Sequence, residues 1–267
     1  MDSSKLRKNS SALSARNAFN LVELLVVVAT LAILSCLVLP VLAHSRGRSA
    51  AAGCLSNLRQ LMAGWSMFRE ENSDILMLNA PAGANGGWVS GSFPEGWGAA
   101  GGNTNVAALQ SGTLWQYLQN DARPFKCPAD VVPSDNGQRL RSYSMNGQVG
   151  SSLGSSYNPG WRTYSKGSDL TCPGPASLFV FCDEHPGSIN DGFLQLNANS
   201  PIYPDVPASY LDGGCGFGFA DGHGEIHAWQ GRWLQIGVVP HTSVFNVASS
   251  GLDPDWKWLV QRSACKP

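Results

Sequence analysis

The chain has 267 residues and a formal net charge of −1, so it has no basic surplus with which to neutralise phosphates, and nucleic acid is not expected as a partner. Thirty Gly, sixteen Pro and only 14% charged residues point to a turn-rich body rather than a helical bundle. The length leaves room for one large or two small folded units beyond an apolar stretch near the N-terminus.

Residues 1–18 are polar, with Lys5, Arg7, Lys8 and Arg16 against the single acid Asp2. Residues 19–39 are almost wholly apolar and carry one carboxylate, Glu23. About 20 helical residues rising ~1.5 Å each cover a hydrocarbon core of ~30 Å, so residues 19–43 are expected to form a transmembrane helix. Basic residues before such a span hold that end in the cytoplasm and put the body outside it. Ordinary secretory signals place the small residue of the cleavage site after the apolar run, whereas here Ala18 stands before it. An ionised carboxylate in a bilayer costs of order 2.5–3.5 kcal/mol at the helix centre and less toward an end. Glu23 therefore either snorkels to the interface of a plain anchor or meets a positive partner.

Beyond Pro40 the helical pattern resumes. Ala51, Cys54, Leu55, Leu58, Leu61, Met62, Trp65 and Phe68 fall at steps of three and four, the apolar stripe of an amphipathic helix over residues 44–72. Pro40, Gly47 and Gly53 are expected to loosen it.

The remaining residues, 73–267, are expected to form a β-rich head. An irregular segment with aromatic anchors covers residues 81–105, and a short helix lies within 109–118. A short strand at residues 125–127 runs into the turn Pro128-Ala129-Asp130. Residues 178–183 make a compact apolar strand, and residues 216–221 and 225–229 flank Gly222-His223-Gly224 as a hairpin. Trp256 and Trp258 alternate as in a strand. An antiparallel sheet packed on the amphipathic helix buries both apolar faces. Outside the apolar stretch, which holds Cys36, six cysteines remain: Cys54, Cys127, Cys172, Cys182, Cys215 and Cys265. They have no zinc-finger or Cys-x-x-Cys spacing, so a structural role is expected, with any disulfide pairing left open.

The stretch Ala18-Phe19-Asn20-Leu21-Val22-Glu23-Leu24-Leu25-Val26-Val27 resembles the prepilin cleavage and methylation motif of type IV pilins and type II secretion pseudopilins. That resemblance implies a prepilin peptidase that cuts between Ala18 and Phe19 and methylates the Phe19 amine. Ala18 stands where the family usually has Gly. It further implies that Glu23 meets the new amine of a neighbouring subunit, with Pro40 as a helix break. The implied fold is α+β and pilin-like, a long N-terminal helix (membrane half plus amphipathic half) packed on an antiparallel sheet. The implied function is that of a filament subunit assembling with other pilin or pseudopilin subunits. Cys-Pro-Ala-Asp, Ser-Tyr-Ser-Met-Asn, Asp-Glu-His-Pro-Gly-Ser-Ile-Asn-Asp-Gly and Phe-Ala-Asp-Gly-His-Gly-Glu-Ile-His resemble a pseudopilin-like family of planctomycete and verrucomicrobial bacteria. That second likeness carries no biochemical activity for the head.

Asp183, Glu184, His185, Asp191, Asp221, His223 and His227 form the densest group of titratable residues. Three readings stay open. Asp-Gly is turn chemistry for a hairpin. Asp183, Asp191 and Asp221 could instead supply oxygen ligands for calcium, as pseudopilin C-terminal loops do, although EF-hand spacing is absent. A zinc hydrolase built on Asp183, His185, Asp221 and His223 is disfavoured, because His223 and His227 on one strand would lie about 13 Å apart. Without a nucleophile elbow, P-loop or triad spacing, no catalytic residue is assigned and no enzyme is expected. The competing function is a membrane-anchored binding module whose Trp88, Trp97 and Trp161 stack on sugars.

Overall fold

A computed structural model describes residues 20–81, 83, 86–90, 96–98, 102–150 and 154–267, with backbone alone at residues 37, 39–46 and 155. The chain divides into two compact units, Met1–Ser45 and Arg46–Pro267, and helix α1 (Leu21–Glu71) contributes to both.

In the first unit two side chains cap the start of α1. The Asn20 side chain accepts from the backbone N–H of Val22 at 3.3 Å, and Glu23 Oε2 accepts from the backbone N–H of Asn20 at 2.9 Å. Two donors that a helix start leaves unpaired are thereby satisfied. The side chains that follow are exposed on every side of the helix, from Leu21 to Cys36.

In the second unit Cys54, Leu58, Leu61, Met62 and Trp65 are fully buried, the inward stripe of an amphipathic helix. The helix ends where Ser73 and Asp74 turn left-handed, and the Asp74 N–H returns to the Arg69 carbonyl. In chain order there follow α2 (Val106–Gln110), β1 (Tyr143–Asn146), α3 (Gly154–Tyr157), β2 (Phe179–Asp183), β3 (Phe193–Leu194) and β4 (Ile202–Tyr203). β5 (Gly214–Phe219), β6 (Gly224–Ala228), β7 (Val247–Ala248) and α4 (Pro254–Ser263) complete the unit. The main sheet runs β3-β1-β2-β5-β6, and β4 pairs with β7 separately.

β5 explains how one sheet serves two cores. Its sequence Gly-Cys-Gly-Phe-Gly-Phe alternates nothing with bulk, so period 2 puts the glycines on one face and Cys215, Phe217 and Phe219 on the other. The bare face receives α1: a Cβ at Gly216 or Gly218 would meet Leu58 or Met62 at 2.9 or 3.0 Å. The opposite face builds a second cluster with Phe179, Cys182, Leu194, Trp229, Leu234 and Leu259 of α4. β2 supplies both clusters by the same alternation, interrupted where its register against β5 shifts between Phe179 and Phe181. That bulge sets Phe179 toward the α4 side while Val180 and Phe181 join the α1 side.

Several expectations are corrected here. The sheet is mixed, since β1 and β3 run parallel while the other neighbours are antiparallel. It is also covered on both faces rather than on one. Among the described residues no helix is long and apolar enough to cross a membrane. The pilin-like fold with a membrane half and the single-pass placement are therefore not upheld. Trp256 and Trp258 lie in α4, not in a strand, because Asp253 and Pro254 start a helix there: the Asp253 carboxylate accepts from the Asp255 N–H at 3.0 Å. Residues 123–125 form a 3-10 turn where a short strand was expected close by.

Candidate functional site: a buried cysteine–aspartate cluster

Where α1 crosses the ends of β2 and β5, three chemically active side chains converge. Cys54 of α1, Cys127 of the Cys-Pro-Ala-Asp turn and Asp183 of β2 bring their sulfur and oxygen atoms within 4.8 Å of one another. Among the described residues this is the one group of three or more potential metal ligands gathered so closely. All three are completely buried. The Cys54 thiol donates to Asp183 Oδ2 at 2.9 Å, the Tyr210 hydroxyl donates to Asp183 Oδ1 at 2.9 Å, and the Gly216 N–H donates to Oδ2 at 3.2 Å. The Tyr143 hydroxyl lies 3.1 Å from Cys54 Sγ and donates to the Cys54 carbonyl at 3.3 Å.

Burial dominates the electrostatics. It pushes the Asp183 carboxyl up to about 7, against the pull of its Cys54, Tyr210 and Gly216 donors. It likewise pushes up the thiols of Cys54 and Cys127 and the phenols of Tyr143 and Tyr210, helped by the charge of Asp183 beside them. The thiols and phenols are thus held protonated, while Asp183 gives up its proton only near pH 7.

The neighbouring turn is tied down by charge. Asp130 accepts from Lys126 Nζ at 2.5 Å, from the Ser142 hydroxyl at 2.7 Å and from the buried Arg139 guanidinium. Pro128 of the same turn fits against Gly53, where a Cβ would come within 2.9 Å of its Cγ. Asn57 of α1 donates to the Lys126 carbonyl at 2.7 Å. Gly53 therefore serves close packing of a loop on the helix.

A metal fits this donor set poorly. Two thiolates and a carboxylate around a divalent cation leave one net negative charge in a site with no solvent contact, which is costly. A closed structural zinc site also takes four ligands, and the further side chains bonded to this trio are the hydroxyls of Tyr143 and Tyr210, both held protonated by burial.

The aspartates read as calcium ligands serve three separate local arrangements. Asp183 belongs to the cluster above. Asp191 accepts from the Phe193 N–H at 2.7 Å. Asp221 sits in the exposed β5–β6 turn and accepts from the His223 N–H at 3.1 Å, with Gly222 at φ +96°, which is the turn chemistry Asp-Gly provides. The histidines are packed or local. His185 Nδ1 accepts from the Gly187 N–H at 3.0 Å, and burial lowers its pKa. His223 stacks on Phe219, and His227 stacks on Trp258 at 3.8 Å between centroids. Glu184 is buried and accepts from the hydroxyls of Ser144 and Ser188, with its pKa raised well above the usual range by burial and by Asp205.

The aromatic residues considered for sugar stacking do not form a free face. Trp88 is fully buried, its N–H donating to the Gly192 carbonyl at 2.9 Å. Trp97 carries Arg139 over its ring and Trp161 carries Lys266. Of the six cysteines outside the apolar stretch, Cys172 and Cys265 are bridged, while Cys54, Cys127, Cys182 and Cys215 are free and buried. Cys36 is free and exposed. Ala18 and Phe19 lie outside the described residues, and Pro40 falls within α1. The convergence of Cys54 with Asp183 has no local sequence signal, but the capping role of Glu23 does: Asn-x-x-Glu at an apolar run is a helix-start signature.

Comparison of the chain with protein-family models, with curated proteins and with solved structures finds no match.

Proposed function

We propose that the chain is a structural subunit of a filament of the type IV pilus or type II secretion pseudopilus kind, matured by a prepilin-type peptidase that cuts between Ala18 and Phe19. One observation carries this reading: an apolar helix surface lies open around a single carboxylate. Leu21, Leu25, Val28, Leu31 and Leu34 are each more than half exposed, and so are Val22, Val26 and Ile33 on the other sides. A helix that is apolar all round is stable when buried among others, and patches of this kind mark association surfaces. The occupant that fits is the same segment of neighbouring copies. Glu23 then has a partner in the Phe19 amine that cleavage creates, because opposite charges at ~4 Å interact by ~4 kcal/mol at an effective dielectric of 20. The reading rests on this N-terminal segment and not on the fold of the head.

The test has two parts. Mass spectrometry of the native protein should find a mature chain starting at an N-methylated Phe19, and a chain that still carries residues 1–18 would contradict the reading. Glu23→Val should sharply reduce incorporation into sheared filaments, and wild-type incorporation would remove the assembly role.

A further inference from the structure

We propose that Cys54 and Cys127 are joined by a disulfide when the head folds under oxidising conditions, a second cross-link beside Cys172–Cys265 that fastens α1 to the Cys-Pro-Ala-Asp turn. Three observations converge on this pair. Their sulfur atoms already lie within 4.8 Å. The backbones that carry them are adjacent, with Gly53 against Pro128 and Asn57 bonded to the Lys126 carbonyl on either side. The surroundings favour a neutral product, since both residues are completely buried and nothing there compensates a thiolate or a metal–thiolate charge. A disulfide is neutral and apolar, and Asp183 keeps its Tyr210 and Gly216 donors when the Cys54 proton is gone.

The reaction is a thiol–disulfide exchange. Two S–H bonds break and one S–S bond forms. The two electrons and two protons pass to an acceptor disulfide, that of oxidised glutathione or of a thiol–disulfide oxidoreductase, which leaves as two thiols. Neither sulfur is reachable in the folded head, so the exchange precedes the closing of α1 over the turn. The bridge closes a loop of about 70 residues, long enough for a cross-link to restrict the unfolded chain strongly.

The experiment refolds the full chain in a mixture of reduced and oxidised glutathione, blocks remaining thiols with N-ethylmaleimide in denaturant, and maps the peptides by mass spectrometry. A Cys54–Cys127 linked peptide is expected. In a Cys172→Ser/Cys265→Ser background, the oxidised protein should show a higher urea midpoint than the same protein refolded with excess thiol. Cys54→Ala and Cys127→Ala should each abolish that difference. Maleimide on both Cys54 and Cys127 after oxidative refolding would overturn the proposal. So would a bridge from Cys54 to Cys182 or Cys215, or one equivalent of zinc retained by the native protein and lost in Cys54→Ala.

Discussion

Gly216 lies directly beneath Leu58: a methyl group at position 216 would stand 2.9 Å from Leu58 Cδ1 and 2.8 Å from Asp183 Oδ2. The helix rests on the sheet because the strand offers no side chain there. Gly216→Ala should therefore lift α1 and destabilise the head by about 1–3 kcal/mol, the usual penalty of overpacking. At Gly224, on β6, the nearest atom would be 3.4 Å away, an ordinary contact. Thermal unfolding of the two variants should show a marked fall in Tm for Gly216→Ala and little change for Gly224→Ala.

Stability should fall with rising pH between about 4 and 7. Asp183 titrates near 7 in the folded head because burial disfavours its charge, against ~3.9 in an unfolded chain. Across that window the folded state binds more protons than the unfolded state, so the unfolding free energy declines until both forms are ionised. Asp205 and Glu184, raised chiefly by burial, act in the same direction. Urea midpoints measured from pH 4.5 to 8 should show the decline. Asp183→Asn should flatten part of it, since its amide can still face the Tyr210 hydroxyl, which is able to accept.

Asp130 should be the costliest single charge to remove near the cluster. It neutralises Arg139, whose side chain is 2% exposed, and also binds Lys126, whose side chain is 20% exposed. Asp130→Ala strands a buried guanidinium and is expected to cost about 3–5 kcal/mol. Lys126→Met leaves Asp130 paired with Arg139 and Ser142 and should cost about 1 kcal/mol or less. Chemical denaturation of the two variants side by side checks the order.

Asp253 caps α4 through the Asp255 N–H and also accepts from the Tyr203 hydroxyl at 2.6 Å. Asp253→Ala removes a cap worth about 1 kcal/mol and a second, charge-assisted bond of about 1.5–3 kcal/mol. Tyr203→Phe should lose only part of this, and Asp253→Ala should show the larger drop in Tm.

Local periodicity made much of the head legible in the sequence. The stripe through Cys54, Leu58, Leu61 and Trp65 and the hairpin around Gly222 follow from spacing and turn chemistry within a few residues. Trp256 and Trp258 misled because two residues at i and i+2 say nothing alone, whereas the Asp253-Pro254 start signal next to them does. The parallel pairing of β1 with β3 was not readable, since it depends on strands far apart in the chain. For the same reason the acids at 183, 191 and 221 looked like one site by composition, while the actual cluster joins Cys54, Cys127 and Asp183 from three distant segments. The membrane-crossing expectation rested on apolar residues 19–43, and among the described residues no helix is long and apolar enough to cross a membrane.

The irregularity in β2 has a consequence for how this architecture can drift. Because Val180 is the surplus residue, deleting it would restore a regular ladder in which Phe179 keeps its place against Phe217 and Phe181 its place against Trp88, and only one apolar side chain would leave the α1 core. A deletion at this one spot therefore leaves both compartments standing, whereas the same change elsewhere in the strand would turn its neighbours to the wrong face and force both to be rebuilt together.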